Sequence, residues 1–481
     1  MLHLQHIYAN IVDIKNQVLG EEFIMKRFIT LAIIASLVMS YTVPVMAIEN
    51  TKKEYKQIKT EKVSPIQNKY EYINLAWWQS FNDDILNTYI IKAIENNKDL
   101  KMASLTIDEF YQNVVSQRSA QMPQVTAGFL PGYSDLGTGP SDSYAFPILA
   151  SWELDIYGKN SNKTNSVRKL WESSILDERA AYISIASAVG STYINVVKLD
   201  AQIDLQEDIV KLRKEIFEMM EISNREGLVS TSDLVKANQS YVIGVTNLTE
   251  MKKNRSKLLH QLAVLTGDSP NNIEEYARID YKKLSFAGEI PVTVASEVIM
   301  QRPDYLKAEK MLEKAGIDVK IARKECLPAI NLGGLMFFNA QNIGSLFTAS
   351  NAIWGLGGGL LHPIFAGGRI KANLKSKKIA YEKSLKNYEK VNLTSMQEVN
   401  DTLVSINMDK EKLAKQKEVQ ALEQKDFELT KLKYAEGVIA KLDLNQKEEN
   451  LLNVNKMVYS SEFDCMVDYI SYYKAVGAKT L

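Results

Sequence analysis

The sequence predicts a mainly α-helical chain with a small transmembrane β-barrel, built from a duplicated unit of two strands and long coiled-coil helices. Three observations predict it. From Arg369 to Glu436 there is neither Gly nor Pro, and from Lys159 to Glu226 the only helix breaker is Gly190. Landmarks recur along the chain: Asp99, Ala103 and Pro123 return as Asp304, Ala308 and Pro328, and Gly158 and Gly227 return as Gly368 and Gly437. Between the Pro and the first Gly of each half, the hydrophobic period changes from helical to two.

Taken in order, the chain opens on an export signal. Lys26 and Arg27 precede an apolar run from Phe28 to Val38, and Val45-Met46-Ala47 has the small-residue spacing of a signal-peptidase site. Residues 1–47 are therefore read as an upstream extension (1–24) and a cleaved signal peptide, with the mature chain starting at Ile48. A retained membrane anchor is the alternative, which Pro44 and the cleavage-like site disfavour. Residues 48–75 read as an extended N-terminal segment, 76–275 as a first structural repeat and 276–481 as a second. Past residue 47 no run of about 18 consecutive apolar residues occurs, so any membrane crossing must use strands.

The strand-like stretches are Gln124 to Tyr133 and Tyr144 to Ile156 in the first repeat, and Ala329 to Asn339 and Ala352 to Ile364 in the second. Each has the length of a tilted membrane strand. Phe146, Ile148, Ala150, Trp152 and Leu154 alternate with Pro147, Leu149, Ser151, Glu153 and Asp155, so one face is apolar. Glycines 355, 357, 358 and 359 mimic a phosphate loop, but no Gly-Lys-Ser/Thr follows, and they read as strand glycines. Trp152 and Trp354 fit either an interfacial aromatic girdle or packing within the barrel. Two repeats supply four strands, too few to close a membrane barrel, whereas three copies supply twelve strands and twelve helical columns.

After Gly158 and Gly368 the spacing is helical: Tyr182, Ile185, Val189, Tyr193 and Val196 in one half, and Tyr388, Met396, Val399, Leu403 and Ile406 in the other. Each helix of about 67 residues would extend about 100 Å at 1.5 Å per residue. Residues 294–324 and 441–476 also carry helical periodicity and fold back beside the second rod. Gly227 and Gly437 end the rods a few residues before a new helix begins, which marks them as hairpin tips.

Composition excludes several classes of function. Lys plus Arg equals Asp plus Glu, 58 of each, so there is no basic footprint for nucleic acid. Two cysteines, Cys326 and Cys465, make neither a disulfide framework nor a Cys-rich metal site, and their places on the columns set them too far apart to pair. His260 and His362 stand alone past the signal, without metal-ligand spacing or a nucleophile motif, so no cofactor, metal or enzymatic activity is expected.

Six motifs in order resemble the TolC family of outer-membrane efflux proteins over residues 70–481, most closely its multidrug-efflux branch. They are Trp77-Trp78-Gln79-Ser80-Phe81, Ser151-Trp152-Glu153-Leu154-Asp155-Ile156-Tyr157-Gly158, Arg302-Pro303-Asp304, Pro363-Ile364-Phe365-Ala366-Gly367-Gly368-Arg369, Tyr434-Ala435-Glu436-Gly437 with Leu442-Asp443, and Tyr473-Lys474-Ala475-Val476-Gly477. The resemblance implies a homotrimer whose twelve-stranded barrel sits in outer membrane lipid and whose α-helical barrel crosses the periplasm. It implies docking to a periplasmic adaptor (membrane fusion) protein and an inner-membrane pump of the RND type, which drives efflux of drugs or other small molecules through a passive duct. That branch usually carries a lipidated cysteine at the mature N-terminus; here no Cys follows the signal.

The resemblance also assigns site residues. A ring of acidic residues after the second tip closes the periplasmic end, and that place falls on Asp443, with Asp233 as its first-repeat counterpart. A tyrosine three residues before the second tip glycine, here Tyr434, bonds the first-repeat aspartate in the closed state. The basic residue two places after that glycine is replaced by Ile439, and Lys441 stands near. The competing reading of Asp233 and Asp443 is a carboxylate in the first turn of a helix, where the helix dipole favours it. Gly227-Leu228-Val229-Ser230 and Gly437-Val438-Ile439-Ala440 expose apolar residues at hairpin ends and are assigned to adaptor docking. Arg302-Pro303-Asp304 reads as a helix start. Two rivals remain in view: a type I protein-secretion duct, and a secreted coiled-coil scaffold without a channel, which would not explain the duplicated strand pairs.

Overall fold

The computed structural model describes residues 76–135, 139–271, 276–286 and 296–477. The signal peptide and the segment 48–75 lie outside the described residues. The chain divides into two compact units: one comprises Gln112–Val167 and Gly316–Lys378 among its described residues, the other residues 76–111, Arg168–Ala315 and Ile379–Leu481.

The first unit holds one antiparallel sheet of β1 (Gln124–Ala127), β2 (Leu130–Asp135), β3 (Pro140–Leu154), β4 (Ala329–Ala340) and β5 (Ala352–Leu361), with β1 and β2 both pairing β3. Five strands replace the four expected because the first arm is interrupted. The register runs unbroken from Ala127 opposite Ile148 to Leu130 opposite Ala145, but Pro147 lies in the gap. Gly128 donates to the Pro147 carbonyl at 2.9 Å, and Pro147 has no N–H to return the bond. β5 likewise stops at Leu361 ahead of Pro363, and β3 stops at Leu154 because Asp155 turns to accept the Asn160 and Ser161 N–H groups at the start of the next helix, at 2.8 and 2.7 Å. The four glycines read as strand residues lie within β5.

Cross-strand partners place Phe146 with Phe338, Ile148 with Met336 and Trp354, Trp152 with Leu332, and Leu154 with Ile330 and Leu360 on one face. That face is apolar from end to end. Phe347, in the turn between β4 and β5, packs edge-on to both Phe146 and Phe338 at 5.3 Å and caps one end of it. Trp152 is anchored by its indole N–H, which donates to the Gln121 carbonyl at 2.9 Å.

The second unit is helical, and four of its helices have one end among the residues of the first. Short α1 (Ala76–Gln79) and α2 (Asp84–Asn96) lead into α3 (Lys98–Ser119). The long helix α4 (Lys159–Arg225, 67 residues) is followed by α5 (Thr231–Thr266), the short turn α6 (Ser296–Ile299) and α7 (Pro303–Lys324). The second long helix α8 (Arg369–Ala435, 67 residues) returns as α9 (Lys441–Ala475). Arg302-Pro303-Asp304 opens a helix as expected: Pro303, lacking an N–H, stands first in the 22-residue α7, and the helical spacing read from 294 onward is divided there between α6 and α7. α4 passes through Gly190 without a break, and packing explains the glycine. A Cβ there would come within 3.1 Å of the Trp77 ring and 3.2 Å of Ile470 Cδ1.

Trp77 lies at the centre of this unit's core, stacked on Tyr473 at 5.8 Å and edge-on to Trp78 at 5.1 Å. Beside it, buried Asp83 caps α2 by accepting the Ile85 and Leu86 N–H groups and also accepts the Tyr193 hydroxyl at 2.6 Å. Tyr193 in turn accepts the Ile279 N–H at 3.0 Å, tying the 276–286 segment to α4. α4 is the one described helix apolar enough over 18 residues to pass for a membrane span, but that stretch is mostly buried here, as a core helix is.

Candidate functional site: the hairpin tips

Both tips belong to the helical unit and are built alike. α4 ends on Gly227 and α8 on Gly437, each at φ +73°, the left-handed conformation that glycine adopts without steric cost. At the first tip the Leu228 N–H reaches the Ser223 carbonyl at 2.8 Å and the Gly227 N–H reaches Asn224 at 3.0 Å. At the second, Val438 reaches Lys433 at 2.9 Å and Gly437 reaches Tyr434 at 3.0 Å. Both are Schellman caps, which satisfy the last helical carbonyls with main-chain bonds alone. The residue after each glycine is thereby turned outward, and Leu228 is 78 % and Val438 67 % exposed. Val229 and Ile439 are half-buried, and Ser230 and Ala440 begin the returning helices in extended conformation.

The two carboxylates occupy the third position of the returning helices. Asp233 accepts the Ser230 hydroxyl at 2.7 Å and pairs with Lys236 at 3.2 Å, while its own N–H donates to Ser230 Oγ. The hydrogen bonds from Ser230 and Lys236 hold its carboxyl below the usual range, so it is ionised at neutral pH. Asp443 accepts the Ala440 N–H at 3.2 Å, half of a capping box, since Ala440 has no side-chain oxygen to complete it. Tyr434 is partly exposed beneath the Lys441 ammonium, 5.6 Å from its ring centre. Within one chain Tyr434 and Asp233 are not brought into a hydrogen bond: the partners of Asp233 are Ser230 and Lys236.

Sequence reasoning missed Asn224, which stands three residues before the first tip glycine, as Tyr434 stands before the second. Its amide donates to the Val229 carbonyl at 2.9 Å and closes the first turn from within. The shared offset from the two glycines was the signal that could have found it. It also missed Arg302, which is more than a helix start. Its guanidinium is buried, donates to the Ala475 carbonyl and pairs with Asp304 at 2.7 Å and Glu398 at 2.6 Å. Among the described residues no cluster of His, Cys, Asp and Glu is arranged to hold a metal, and Cys326 and Cys465 are free thiols.

Known proteins share this architecture. The family described as outer membrane efflux protein matches residues 89–268 and 294–461. The toluene efflux pump outer membrane protein TtgC of Pseudomonas putida is 25 % identical over 412 residues, covering 84 % of each chain. The cation efflux system protein CusC of Escherichia coli is 25 % identical over 412 residues, 84 % of this chain and 89 % of its own. The solved structure of the Campylobacter jejuni CmeC outer membrane channel superposes with a TM-score of 0.77 at 22 % identity, over 84 % of this chain and 88 % of that one. With two thirds of its length matched in two segments, one in each half, the chain belongs to the outer membrane efflux protein family, and it is an outer membrane efflux channel.

Proposed function

We propose that three copies of this chain assemble into the exit duct of a tripartite efflux system, with the hairpin tips as its gated and docked end. The observation that carries the reading is the pair of matched tips. Each leaves an apolar residue bare, Leu228 or Val438, and sets a carboxylate, Asp233 or Asp443, six residues beyond its glycine. Each chain is two copies of one unit, residues 76–275 and 276–481, and a trimer therefore presents six such tips in two alternating kinds.

Trimerisation is supported by what a single chain leaves open. The sheet has free edges at β1/β2 and at β5, an arrangement that barrels abolish by closure. α8 buries only Ser395, Val399, Ile406 and Thr430 and leaves Leu422, Leu429 and Leu432 exposed at coiled-coil spacing. Neighbouring copies cover both. The chain reaches the outer membrane by a cleaved signal peptide, and neither binds a cofactor nor catalyses a reaction. A periplasmic adaptor docks on Gly227, Leu228, Val229 and Ser230 and on Gly437, Val438, Ile439 and Ala440, and an inner-membrane pump of the RND type supplies the energy. The relatives' names speak of toluene and of cations, and the cargo proposed here is likewise small solutes rather than folded protein.

At the gate, Asp443 and Asp233 line the narrowed end and Tyr434 braces it. Rings of carboxylates favour cations and repel anions. Planar-bilayer recording tests this: the unaltered channel prefers cations, and Asp443→Asn lowers the cation-to-anion permeability ratio by about two- to fivefold. An unchanged ratio in both Asp443→Asn and Asp233→Asn would remove the tips from the gate.

A further inference from the structure

The two ends of the sheet differ sharply in charge. The described residues at one end, 130–135, 139–144 and 339–351, contain two carboxylates, Asp135 and Asp142, and no Lys or Arg. At the other end, segments 112–123, 155–167, 316–328 and 362–378 contain eleven Lys and Arg against three Asp and Glu. Those three carboxylates are engaged elsewhere. Asp155 caps α4, Asp318 accepts the Ser166 hydroxyl at 2.5 Å, and Glu325 accepts the Asn373 amide at 2.8 Å. Lys159 pairs with Glu153 at 2.5 Å and Lys324 donates to the Gly158 carbonyl at 3.0 Å. Lys320, Arg323, Arg369, Lys371, Lys375 and Lys378 are exposed, and among the described residues no carboxylate pairs with any of them.

Their placement follows the apolar face of the sheet. From Phe338 to Ile330 that face runs eight residues, about 27 Å along the strand, a length suited to the apolar band of a membrane barrel. Just past β5, Ile364 and Phe365 are 97 % and 90 % exposed. Arg369 then opens α8, and Lys371, Lys375 and Lys378 fall on one side of it at helical spacing. Apolar band, bare aromatic and aliphatic side chains, then unpaired lysines is the order in which a bilayer presents hydrocarbon, interface and phosphate. Lysine stems can lie along the interface while their ammonium groups reach the headgroups.

We propose that this basic collar binds the phosphates of anionic phospholipid in the leaflet nearest the helices, fixing the depth and orientation of the barrel. The proposal rests on the outer-membrane channel reading and names the lipid class that reading leaves open. Each basic side chain near an anionic surface strengthens binding by a factor of about five.

The test uses the full assembly in mild detergent, incubated with phosphatidylglycerol or phosphatidylethanolamine, with retained lipid counted by native mass spectrometry. The unaltered protein retains phosphatidylglycerol in preference, and high salt removes the preference, an outcome that needs no variant to fold. K371Q/K375Q/K378Q retains phosphatidylglycerol about a hundredfold less and phosphatidylethanolamine equally, whereas Lys386→Gln, further along α8, changes neither. Equal retention of the two lipids, equal retention by the triple variant, or lysine-dependent preference for phosphorylated glycolipid over phosphatidylglycerol would overturn the proposal. So would a changed ion preference of the triple variant in planar bilayers, which would put the lysines in the lumen. Absence of conductance from the unaltered protein would instead fail the channel reading itself.

Discussion

Asn224 and Tyr434 hold the same place in the two hairpins, three residues before the tip glycine, and act differently there. Asn224 closes its own turn through the Val229 carbonyl at 2.9 Å, whereas Tyr434 projects beneath Lys441 and contributes no side-chain bond to its turn. The residue at this place before the tip thus braces the first turn with its side chain but not the second. Asn224→Ala should loosen the first tip by about 1 kcal/mol, the worth of one hydrogen bond. Amide hydrogen exchange across 227–231 reads this as about fivefold faster exchange, with residues 437–441 unchanged. Tyr434→Ala should leave exchange at both turns as it was.

Gly437 at φ +73° has nothing within 4 Å of where a Cβ would stand, so a substitution there meets conformational cost without a clash. Gly437→Ala should destabilise the tip by about 1–2 kcal/mol. Gly437→Asn should cost less, because Asn tolerates the left-handed region. Limited proteolysis at the tip orders the three proteins. Equal cleavage of all three would show that the Schellman turn does not depend on the glycine.

Tyr193 joins three elements through one hydroxyl, donating to Asp83 and accepting from Ile279. Burial and the neighbouring Asp83 carboxylate raise its pKa, so it stays a neutral donor throughout the physiological range. Tyr193→Phe keeps the ring's packing, removes the donor to Asp83 Oδ2 and leaves the Ile279 N–H without its acceptor, and should cost about 1–3 kcal/mol. Denaturation midpoints of the assembled protein measure it.

Asp468 on α9 gives the helical unit a pH dependence. Burial first, and the adjoining Asp409 carboxylate second, push its carboxyl up to about 7, with Asp464 adding to the rise and Lys412 opposing it. The folded pKa lies above the unfolded value of about 3.9, so the fold favours the neutral acid. Its contribution is complete below about pH 4 and is lost as the pH rises through about 7. The melting temperature should therefore fall between pH 5 and 8, and Asp468→Asn, which cannot ionise, should flatten that fall. A melting temperature that rises over this interval would contradict the assignment.

Local chemistry was legible in the sequence where one residue decides the outcome. Gly227 and Gly437 marked the tips because a helix ends where a left-handed glycine lets it turn. The runs from Lys159, with Gly190 its one breaker, and from Arg369, with none, marked the long helices because so little interrupts their bonding. Features that depend on distant partners were not legible. Pro147 interrupts the ladder of a strand segment that pairs with it across the sheet, and Arg302 finds its partners 96 and 173 residues away, at Glu398 and Ala475. Pro303 was legible as a helix start for the same local reason as the tip glycines, since a residue without an N–H fits the first helical turn. The basic collar was hidden for another reason: its charges are scattered over four segments that meet only at one end of the sheet, while the whole chain is neutral.

Every role given to the tips and the strands requires that copies of this chain enclose a lumen. Negative-stain imaging of the protein purified in detergent from Ile48 onward tests it most directly, without knowledge of cargo or partner. Particles with threefold symmetry and a stain-filled central channel are expected. Compact particles, or solid rods without a lumen, would contradict it.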